Sequence, residues 1–294
     1  MKPAPFAFLR PSTLEEALAA LAGEQGAKVL AGGQSLVPLL SMRLAAPSML
    51  VDINALPDLD HVRVDAGEGG AGGGVRIGAL ARHADVLASV EAAEVQPLVA
   101  MALSHVAHPT IRNRGTTVGS LVHADAAAEM PMVLRLLEGS VDVASVRGRR
   151  TIPAAELFAG PLESTLAHDE IAVEAFFPAL AAGGGVAFEE IARRHGDYAM
   201  VGVAALVELD GEDVVRARLG YVSVSDVPVV VDVTDAVRSE GGDPAALALA
   251  ELEPADDIHA SADYRAHLVK VLTTRVLAAA IDHARSRAGK VTTP

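Results

Sequence analysis

Two glycine-bearing segments contain the residues best suited to binding an anionic ligand. In residues 28–36 an apolar stretch leads into Gly32 and Gly33. A second segment, residues 112–125, offers Thr116, Thr117, Gly119 and Ser120. A glycine turn leaves several backbone N–H groups pointing the same way with no side chain in front of them, and such groups bind anions. Because two such loops can hold a pyrophosphate from both sides, the pair predicts a dinucleotide site.

The size and charge of the chain narrow its class. Its 294 residues exceed the usual length of one domain, which predicts two, and 51% of them are apolar, enough for a sizeable core. No apolar run of about 18 residues occurs, and the first residues lack the apolar region of a secretory signal. A net charge of −14 disfavours nucleic-acid binding, which requires clustered lysine and arginine. We therefore expect a cytoplasmic protein without a membrane span.

The chain contains no cysteine. This excludes a disulfide, a thiolate nucleophile, a Cys-type zinc site and an ordinary iron–sulfur cluster within the chain. If the protein performs redox chemistry, an organic cofactor or a partner chain must therefore carry the electrons.

The first half of the sequence predicts an α/β arrangement. Residues 28–31 and 49–53 are predicted strands, joined by a helix near residues 34–44. Such a β-α-β unit normally has parallel strands. Ser12 and Glu15 predict a capping box at the start of an earlier helix.

The second half predicts an antiparallel sheet flanked by helices. Predicted strands occupy residues 186–191, 200–209 and 214–224, and an amphipathic helix over residues 261–288 ends at Gly289. The change of pattern follows a glycine-rich stretch that begins at residue 179. We therefore predict an α+β fold with a domain at residues 1–178 and a second at residues 179–294.

A literal Gly-x-Gly-x-x-Gly pattern runs from Gly67 to Gly72. In a Rossmann site that pattern lies between a strand and a helix, because the helix N-terminus helps to hold the phosphate. Here the residues that follow, Gly73 to Gly78, predict a strand. The pattern is therefore interpreted as a hairpin link and not as a nucleotide site.

The order of several short motifs resembles the flavoprotein (medium) subunit of the molybdenum hydroxylases, the family of carbon monoxide dehydrogenase, xanthine dehydrogenase and nicotine-type dehydrogenases. The resemblance covers most of the chain, and its motifs are specific in their order rather than singly. They are LEEAL from Leu14, LAGGQSLVP from Leu30, VDI from Val51, IGA from Ile77, IRNRGT from Ile111, HAD from His123, RRHGDYA from Arg193 and SADYR from Ser261.

The resemblance implies a two-lobed N-terminal α/β domain that binds FAD. In that family the first glycine segment and a Thr-x-Gly-Gly segment hold the pyrophosphate and ribityl chain. Carried over by position, this assigns to FAD binding the residues Lys28, Val29, Leu30, Ala31, Gly32, Gly33, Gln34, Ser35, Leu36, Thr116, Thr117, Val118, Gly119 and Ser120.

The resemblance further implies roles for four residues outside the loops. Asp125 or Glu129 accepts hydrogen bonds from ribityl or ribose hydroxyls, Ile171 packs near the flavin or adenine, and Tyr198 lies close to the isoalloxazine. The sequence departs from the family pattern at Val118, where a glycine is usual. Val118 can donate its N–H to a ligand, but not if the loop requires a positive φ there.

The resemblance implies an oxidoreductase whose chemistry is divided among chains. A large molybdopterin subunit oxidises the substrate, a small iron–sulfur subunit carries the electrons, and FAD on this chain passes them to an external acceptor. The implied assembly is a dimer of heterotrimers. No residue of this chain is assigned as a catalytic acid, base or metal ligand.

Two other functions remain open from the sequence alone. One is a self-sufficient flavin oxidase of the vanillyl-alcohol oxidase type, and the other is a scaffold subunit that has lost FAD. Tyr198 can equally be an ordinary packed residue, and Arg112 and Arg114 can simply pair with acidic neighbours. His105 and His108 are spaced to face together, but the sequence offers no third ligand for zinc.

Overall fold

The computed structural model describes residues 1–66 and 72–291, with side chains up to residue 288. Most of the pattern from Gly67 to Gly72 therefore lies outside the described residues. In the described part of the chain, none of the helices combines the length and the apolar composition needed to cross a bilayer.

The first lobe is a parallel three-stranded sheet. Its strands β1 (Ala7–Leu9), β2 (Ala27–Leu30) and β3 (Met49–Asp52) lie in the order β1-β3-β2. Helix α1 (Leu14–Gly23) joins β1 to β2, and α2 (Leu36–Met42) joins β2 to β3. The predicted β-α-β unit is confirmed, and its turn between β2 and α2 contains the first pair of glycines.

Helix α1 begins one residue later than the predicted capping box implies. The Thr13 hydroxyl accepts from the N–H of Glu16, and the Glu16 carboxylate accepts from the N–H and hydroxyl of Ser12. The pairing of Ser12 with Glu15 was therefore wrong by one position. Thr13 is the N-cap residue, and Glu16, three residues later, accepts from Ser12 just before the cap.

The second lobe is an antiparallel five-stranded sheet with the order β4-β5-β10-β6-β7. A small hairpin, β8 with β9, lies beside it. The strands are β4 (Val62–Asp65), β5 (Gly74–Gly78), β6 (Ser140–Ser145), β7 (Gly148–Pro153), β8 (Phe158–Gly160), β9 (Glu163–Ser164) and β10 (Ile171–Pro178).

Short helices connect the strands of the two lobes and cover the second sheet. A turn of 3-10 helix follows β3 at Ile53–Ala55. The helices are α3 (His83–Ala88), α4 (Val90–Val95), α5 (Pro97–His105), α6 (Pro109–Arg112), α7 (Thr117–His123), α8 (Glu129–Leu136) and α9 (Ala154–Leu157).

The remainder of the chain forms an antiparallel sheet of order β11-β12-β13-β14 with helices beside it. This confirms the predicted α+β class. The strands are β11 (Gly184–Ala192), β12 (Ala199–Asp210), β13 (Asp213–Val222) and β14 (Val229–Asp232), and the helices are α10 (Thr234–Arg238), α11 (Pro244–Ala250) and α12 (Ala262–Val291).

Strand β12 is apolar on both faces because both are covered. Val203 and Val207 pack in the core formed with α12, whereas Ala204 and Leu206 belong to the core of the N-terminal lobes. Alternate residues of a strand point to opposite faces, so a strand buried on both sides is a continuous apolar run. The sheet therefore joins the two parts of the molecule through one strand.

Helix α12 continues through the glycine that was expected to end it. The helix extends to Val291, and Gly289 lies within it. A glycine in a helix is unfavourable by roughly 1 kcal/mol relative to alanine but does not by itself end the helix. Leu268, Leu272 and Leu277 are buried on the predicted apolar face.

Candidate functional site

The first glycine loop leaves backbone donors free. Gly33 has a φ of +73°, which turns the chain away from β2 before α2 begins. In the described part of the chain, the N–H groups of Gly33, Gln34 and Ser35 contact no hydrogen-bond acceptor. The side chain of Gln34 donates to the Gly32 carbonyl at 3.2 Å. The loop is therefore held in shape with its N–H groups available to a ligand.

The second glycine segment forms the start of a helix, not an open loop. Thr116 caps α7 by accepting from the N–H of Gly119 at 3.2 Å. Val118 lies inside α7, is buried, and is absent from the described residues with positive φ. The backbone therefore does not require a glycine at Val118, because the helical conformation suits any L-residue.

The two segments meet at Gly32. A β-carbon at Gly32 would lie 2.8 Å from the Cα of Gly115 and would collide with the carbonyl oxygen of Arg114. Only a residue without a side chain permits this approach. The connection after β2 and the helix cap before α7 therefore line one cleft together.

The cleft opens into a cavity of about 770 Å³, within the usual range for small-molecule sites. The cavity brings together most of the residues assigned from the resemblance. Those that line it are Lys28, Val29, Ala31, Gly32, Gly33, Gln34, Ser35, Leu36, Thr116, Val118, Gly119, Ser120, Asp125, Glu129, Ile171 and Tyr198.

Leu30 and Thr117 belong to the assigned set but do not line the cavity. Leu30 packs against the first turn, where its Cδ1 would lie 3.2 Å from a β-carbon built at Gly33. Thr117 is fully buried, and its hydroxyl lies 3.1 Å from Nδ1 of His83. These two residues therefore support the loops from behind.

Parts of the cavity wall come from segments that the sequence did not indicate. They are Val106 and Ala107 between α5 and α6, Leu162 and Leu166 around β9, and Gly196 and Asp197 in the hairpin between β11 and β12. Only the hairpin carried a signal, since it belongs to the RRHGDYA motif. The leucines are ordinary apolar residues whose role depends on where the chain places them.

Two carboxyl groups lie in one wall of the cavity in different environments. Glu129 is buried, and burial together with the neighbouring Glu190 carboxylate raises its pKa from 4.5 to about 8. Asp125 accepts from the N–H of Ala127 at 2.9 Å. At neutral pH Glu129 is therefore a neutral group that can donate as well as accept a hydrogen bond.

The histidine behind the second segment is held uncharged. His83 is buried, and its backbone N–H donates to the carbonyl oxygen of Gly115 at 2.9 Å. Burial, with the nearby Arg112 guanidinium, lowers the pKa of His83 from 6.5 to about 4. A neutral imidazole next to Thr117 therefore supports α7 without adding charge to the cavity.

Within the described part of the chain, Arg112 forms no ion pair with a carboxylate. Its guanidinium donates to the carbonyl oxygens of Val106 and Ala107 at 2.9 and 3.0 Å. The acidic pairing considered from the sequence is therefore wrong for Arg112.

His105 lies 3.4 Å from the Glu190 carboxylate, and no cluster of three potential metal ligands occurs among residues 1–66 and 72–291.

These features define a dinucleotide-binding flavoprotein class. The site combines free N–H groups at a glycine turn, a backbone contact that leaves no room for a side chain, and a cavity lined by both segments. This combination fits a pyrophosphate with a group extending to each side. The residues present therefore fit FAD.

The family comparison agrees with the geometry. Residues 4–180 match the FAD binding domain in molybdopterin dehydrogenase, and residues 186–280 match the CO dehydrogenase flavoprotein C-terminal domain. The chain belongs to this family of molybdenum hydroxylase flavoprotein subunits.

Full-length relatives span the same two regions. The chain is 40% identical over 294 residues to the 6-hydroxypseudooxynicotine dehydrogenase complex subunit alpha of Paenarthrobacter nicotinovorans, covering 97% of each chain. It is 33% identical over 297 residues to the carbon monoxide dehydrogenase medium chain of Hydrogenophaga pseudoflava, covering 95% of this chain and 98% of that one.

Solved structures of such proteins share the fold. Carbon monoxide dehydrogenase from Hydrogenophaga pseudoflava superposes with a TM-score of 0.89 at 33% identity, over 96% of this chain and 99% of that one. Quinoline 2-oxidoreductase from Pseudomonas putida 86 superposes with a TM-score of 0.88 at 34% identity, over 98% of this chain and 100% of that one.

Proposed function

We propose that this chain is the FAD-binding electron-transfer subunit of a molybdenum hydroxylase. It accepts electrons from iron–sulfur clusters on a small partner chain and passes them to an external acceptor. A large partner chain with molybdopterin oxidises the substrate. The observation that carries the proposal is the cavity closed by Gly32 against the Arg114–Gly115 peptide, in a chain of this family.

The residues of the cavity have separate parts in holding the cofactor. The free N–H groups of residues 33–35 hold the pyrophosphate, and Asp125 or Glu129 binds ribityl or ribose hydroxyls. Ile171 packs near the flavin or adenine, and Tyr198 lies close to the isoalloxazine. FAD, when bound, supplies the redox chemistry, and the protein supplies position and electrostatics.

Three titratable groups of the cavity wall already have protein partners, which makes these three poorly suited to proton abstraction from a substrate. His83 contacts the Thr117 hydroxyl, and Asp125 accepts from the backbone N–H of Ala127. The Glu170 carboxylate pairs with the guanidinium of Arg150 at 2.7 and 2.8 Å. This supports the subunit over the self-sufficient oxidase.

The proposal includes a partnered assembly and a division of the chain. Residues 1–178 bind FAD, and residues 179–294 form the second domain. The relatives are named as a complex subunit and as medium chains, which supports partners for this chain as well. We propose a dimer of heterotrimers, since two-fold symmetry is the commonest form of association.

Purification from the native host tests the proposal. A tagged chain purified under mild conditions should bring down an iron–sulfur chain and a molybdopterin chain, with iron and molybdenum in the eluate. Acid precipitation should release FAD into the supernatant, since no cysteine is present to form a thioether link.

Three results would contradict parts of this proposal. A lone flavoprotein free of both metals and fully active in extract would remove the partners. Steady oxidation of an alcohol or amine by the isolated chain would favour the oxidase. A colourless chain that takes up no added FAD would favour the scaffold.

A further inference from the structure

Arg82 lies between the two glycine segments and contacts both. It precedes α3, directly beside the second segment, where its backbone forms a bridge with Thr116. One guanidinium nitrogen, Nη1, donates to the carbonyl oxygen of Arg114 at 2.8 Å. The other, Nη2, donates to Oδ1 of Asn54 at 2.7 Å.

Asn54 extends this contact to the first segment. Its Nδ2 donates to the carbonyl oxygen of Ala31 at 2.8 Å, immediately before Gly32. The same Nδ2 also donates to Oδ1 of Asp52 at 2.6 Å. The result is a continuous hydrogen-bonded path from the Ala31 carbonyl through Asn54 and Arg82 to the Arg114 carbonyl.

The path joins the residues on either side of the closest approach between the segments. Gly32 follows Ala31, and a β-carbon on Gly32 would collide with the same Arg114 carbonyl that Arg82 contacts. Neither Arg82 nor Asn54 is among the described residues that line the cavity. Any effect on a ligand must therefore pass through the position of the two segments.

The guanidinium is suited to this task by its shape rather than by its charge. The guanidinium donates to two neutral groups, the backbone carbonyl of Arg114 and the side-chain amide oxygen of Asn54. Burial and the neighbouring Arg114 guanidinium lower the pKa of Arg82. The planar fork of an arginine directs donors to two separate acceptors, which the single ammonium of lysine cannot do.

We propose that Arg82 and Asn54 are a positioning pair that sets the separation of the two glycine segments and thereby the tightness with which FAD is held. The inference rests on the proposed function in that FAD is the ligand. The pair does not touch the cofactor and takes no part in electron transfer.

The full chain with and without FAD provides the test. In Arg82→Met both bonds are lost, and in Asn54→Asp the acceptor for Arg82 remains while the donor to Ala31 is lost. Each variant should raise the Kd for FAD about tenfold, because about two modest hydrogen bonds are removed. The double variant should bind no more weakly than the weaker single variant, since both changes break one path.

Two further variants separate positioning from charge and from general stability. Arg82→Lys should leave the Kd near that of Arg82→Met, because one ammonium cannot hold both segments. Arg76→Met is the matched control: its guanidinium binds Glu174 at 2.8 Å and Asp65 at 3.0 Å in the second sheet, away from the cavity. It should lower the melting temperature but leave the Kd for FAD within twofold of wild type.

Hydrogen–deuterium exchange of the flavin-free chain gives a readout independent of FAD. Arg82→Met and Asn54→Asp should accelerate exchange in residues 31–36 and 114–120, whereas Arg76→Met should not. If wild type binds FAD and the pair variants keep its Kd within twofold, the inference is overturned while the proposed function stands. If wild type binds no FAD, the function fails, and unchanged exchange in both segments overturns the inference separately.

Discussion

Gly32 and Gly115, one in each glycine segment, approach so closely that a β-carbon at Gly32 would lie 2.8 Å from the Cα of Gly115. The contact joins the turn that follows strand β2 of the first lobe to the residue that precedes the cap of α7. Both glycines line the cavity of about 770 Å³. The contact between the two segments therefore depends on a position that admits no side chain.

The first prediction concerns this contact. Gly32→Ala should raise the Kd for FAD by about tenfold or more, equivalent to about 1.4 kcal/mol, because the added methyl group must push the segments apart. Flavin fluorescence titration of the purified chain measures the Kd.

Gly23→Ala is the matched control for Gly32→Ala. A β-carbon at Gly23 meets nothing within 4 Å, and the residue lies at the end of α1. Its Kd should equal that of wild type. Equal affinity in the Gly32→Ala chain would mean that the close contact is irrelevant to binding.

The second prediction concerns Glu129 at alkaline pH. Its pKa rises from 4.5 to about 8 on folding, so between these values the folded chain holds a proton that the unfolded chain has lost. Stability therefore falls as pH rises through this window, by up to about 1.4 kcal/mol per pH unit. Glu129→Gln, which stays neutral, should gain melting temperature relative to wild type as pH rises from 5 to 8.

The melting temperature of the flavin-free chain across this pH range checks the Glu129 prediction. A difference between the variant and wild type that is constant from pH 5 to pH 8 would show that Glu129 ionises normally. His83, whose pKa shift has the opposite sign, serves as the control.

The third prediction concerns His83 at acid pH. Its pKa falls from 6.5 to about 4 on folding, so between these values the unfolded chain binds a proton that the folded chain does not. Stability is therefore lost as pH falls from 6.5 towards 4. His83→Gln should lose stability at pH 8 through the broken contact with Thr117, but decline less than wild type on acidification.

Urea unfolding at several pH values measures this slope. The His83 and Glu129 variants should change the pH dependence of stability in opposite directions, which separates local ionisation from a general loss of stability. Parallel curves for His83→Gln and wild type between pH 6.5 and 4 would disprove the assigned role of the imidazole.

The fourth prediction concerns the hairpin that carries Tyr198. Gly196 has a φ of +86°, and a β-carbon there would lie 2.6 Å from the Ala107 carbonyl oxygen. Gly196→Ala should therefore lift the hairpin from the loop after α5 and expose the bound flavin. Iodide should quench flavin fluorescence more strongly in this variant than in wild type.

Gly211→Ala supplies the comparison for the hairpin. Gly211 also has a positive φ, +60°, but a β-carbon there meets nothing within 4 Å. It should incur a similar backbone strain without any change in quenching. Equal quenching in both variants would mean that Gly196 does not seat the hairpin over the cavity.

Local patterns in the sequence were sufficient for much of the fold. The apolar run into Gly32 and Gly33 predicted a strand, a turn and a helix in a parallel unit, and the alternation after residue 186 predicted the antiparallel strands. These features depend on neighbours along the chain, so a single segment contains the information. The one-residue displacement of the α1 cap and the continuation of α12 through Gly289 show how weakly such signals set boundaries.

The tertiary structure alone decided which residues surround the cavity. Leu30 and Thr117 lie in the predicted segments yet do not line it, while Leu162 and Gly196 come from the turns of two hairpins far along the chain. The sequence determined the turns, caps and apolar faces because these depend on local backbone and side-chain preferences. It did not determine that Gly32 meets Arg114 or that Arg82 contacts Asn54, since such contacts arise only when separate sheets and helices pack against one another.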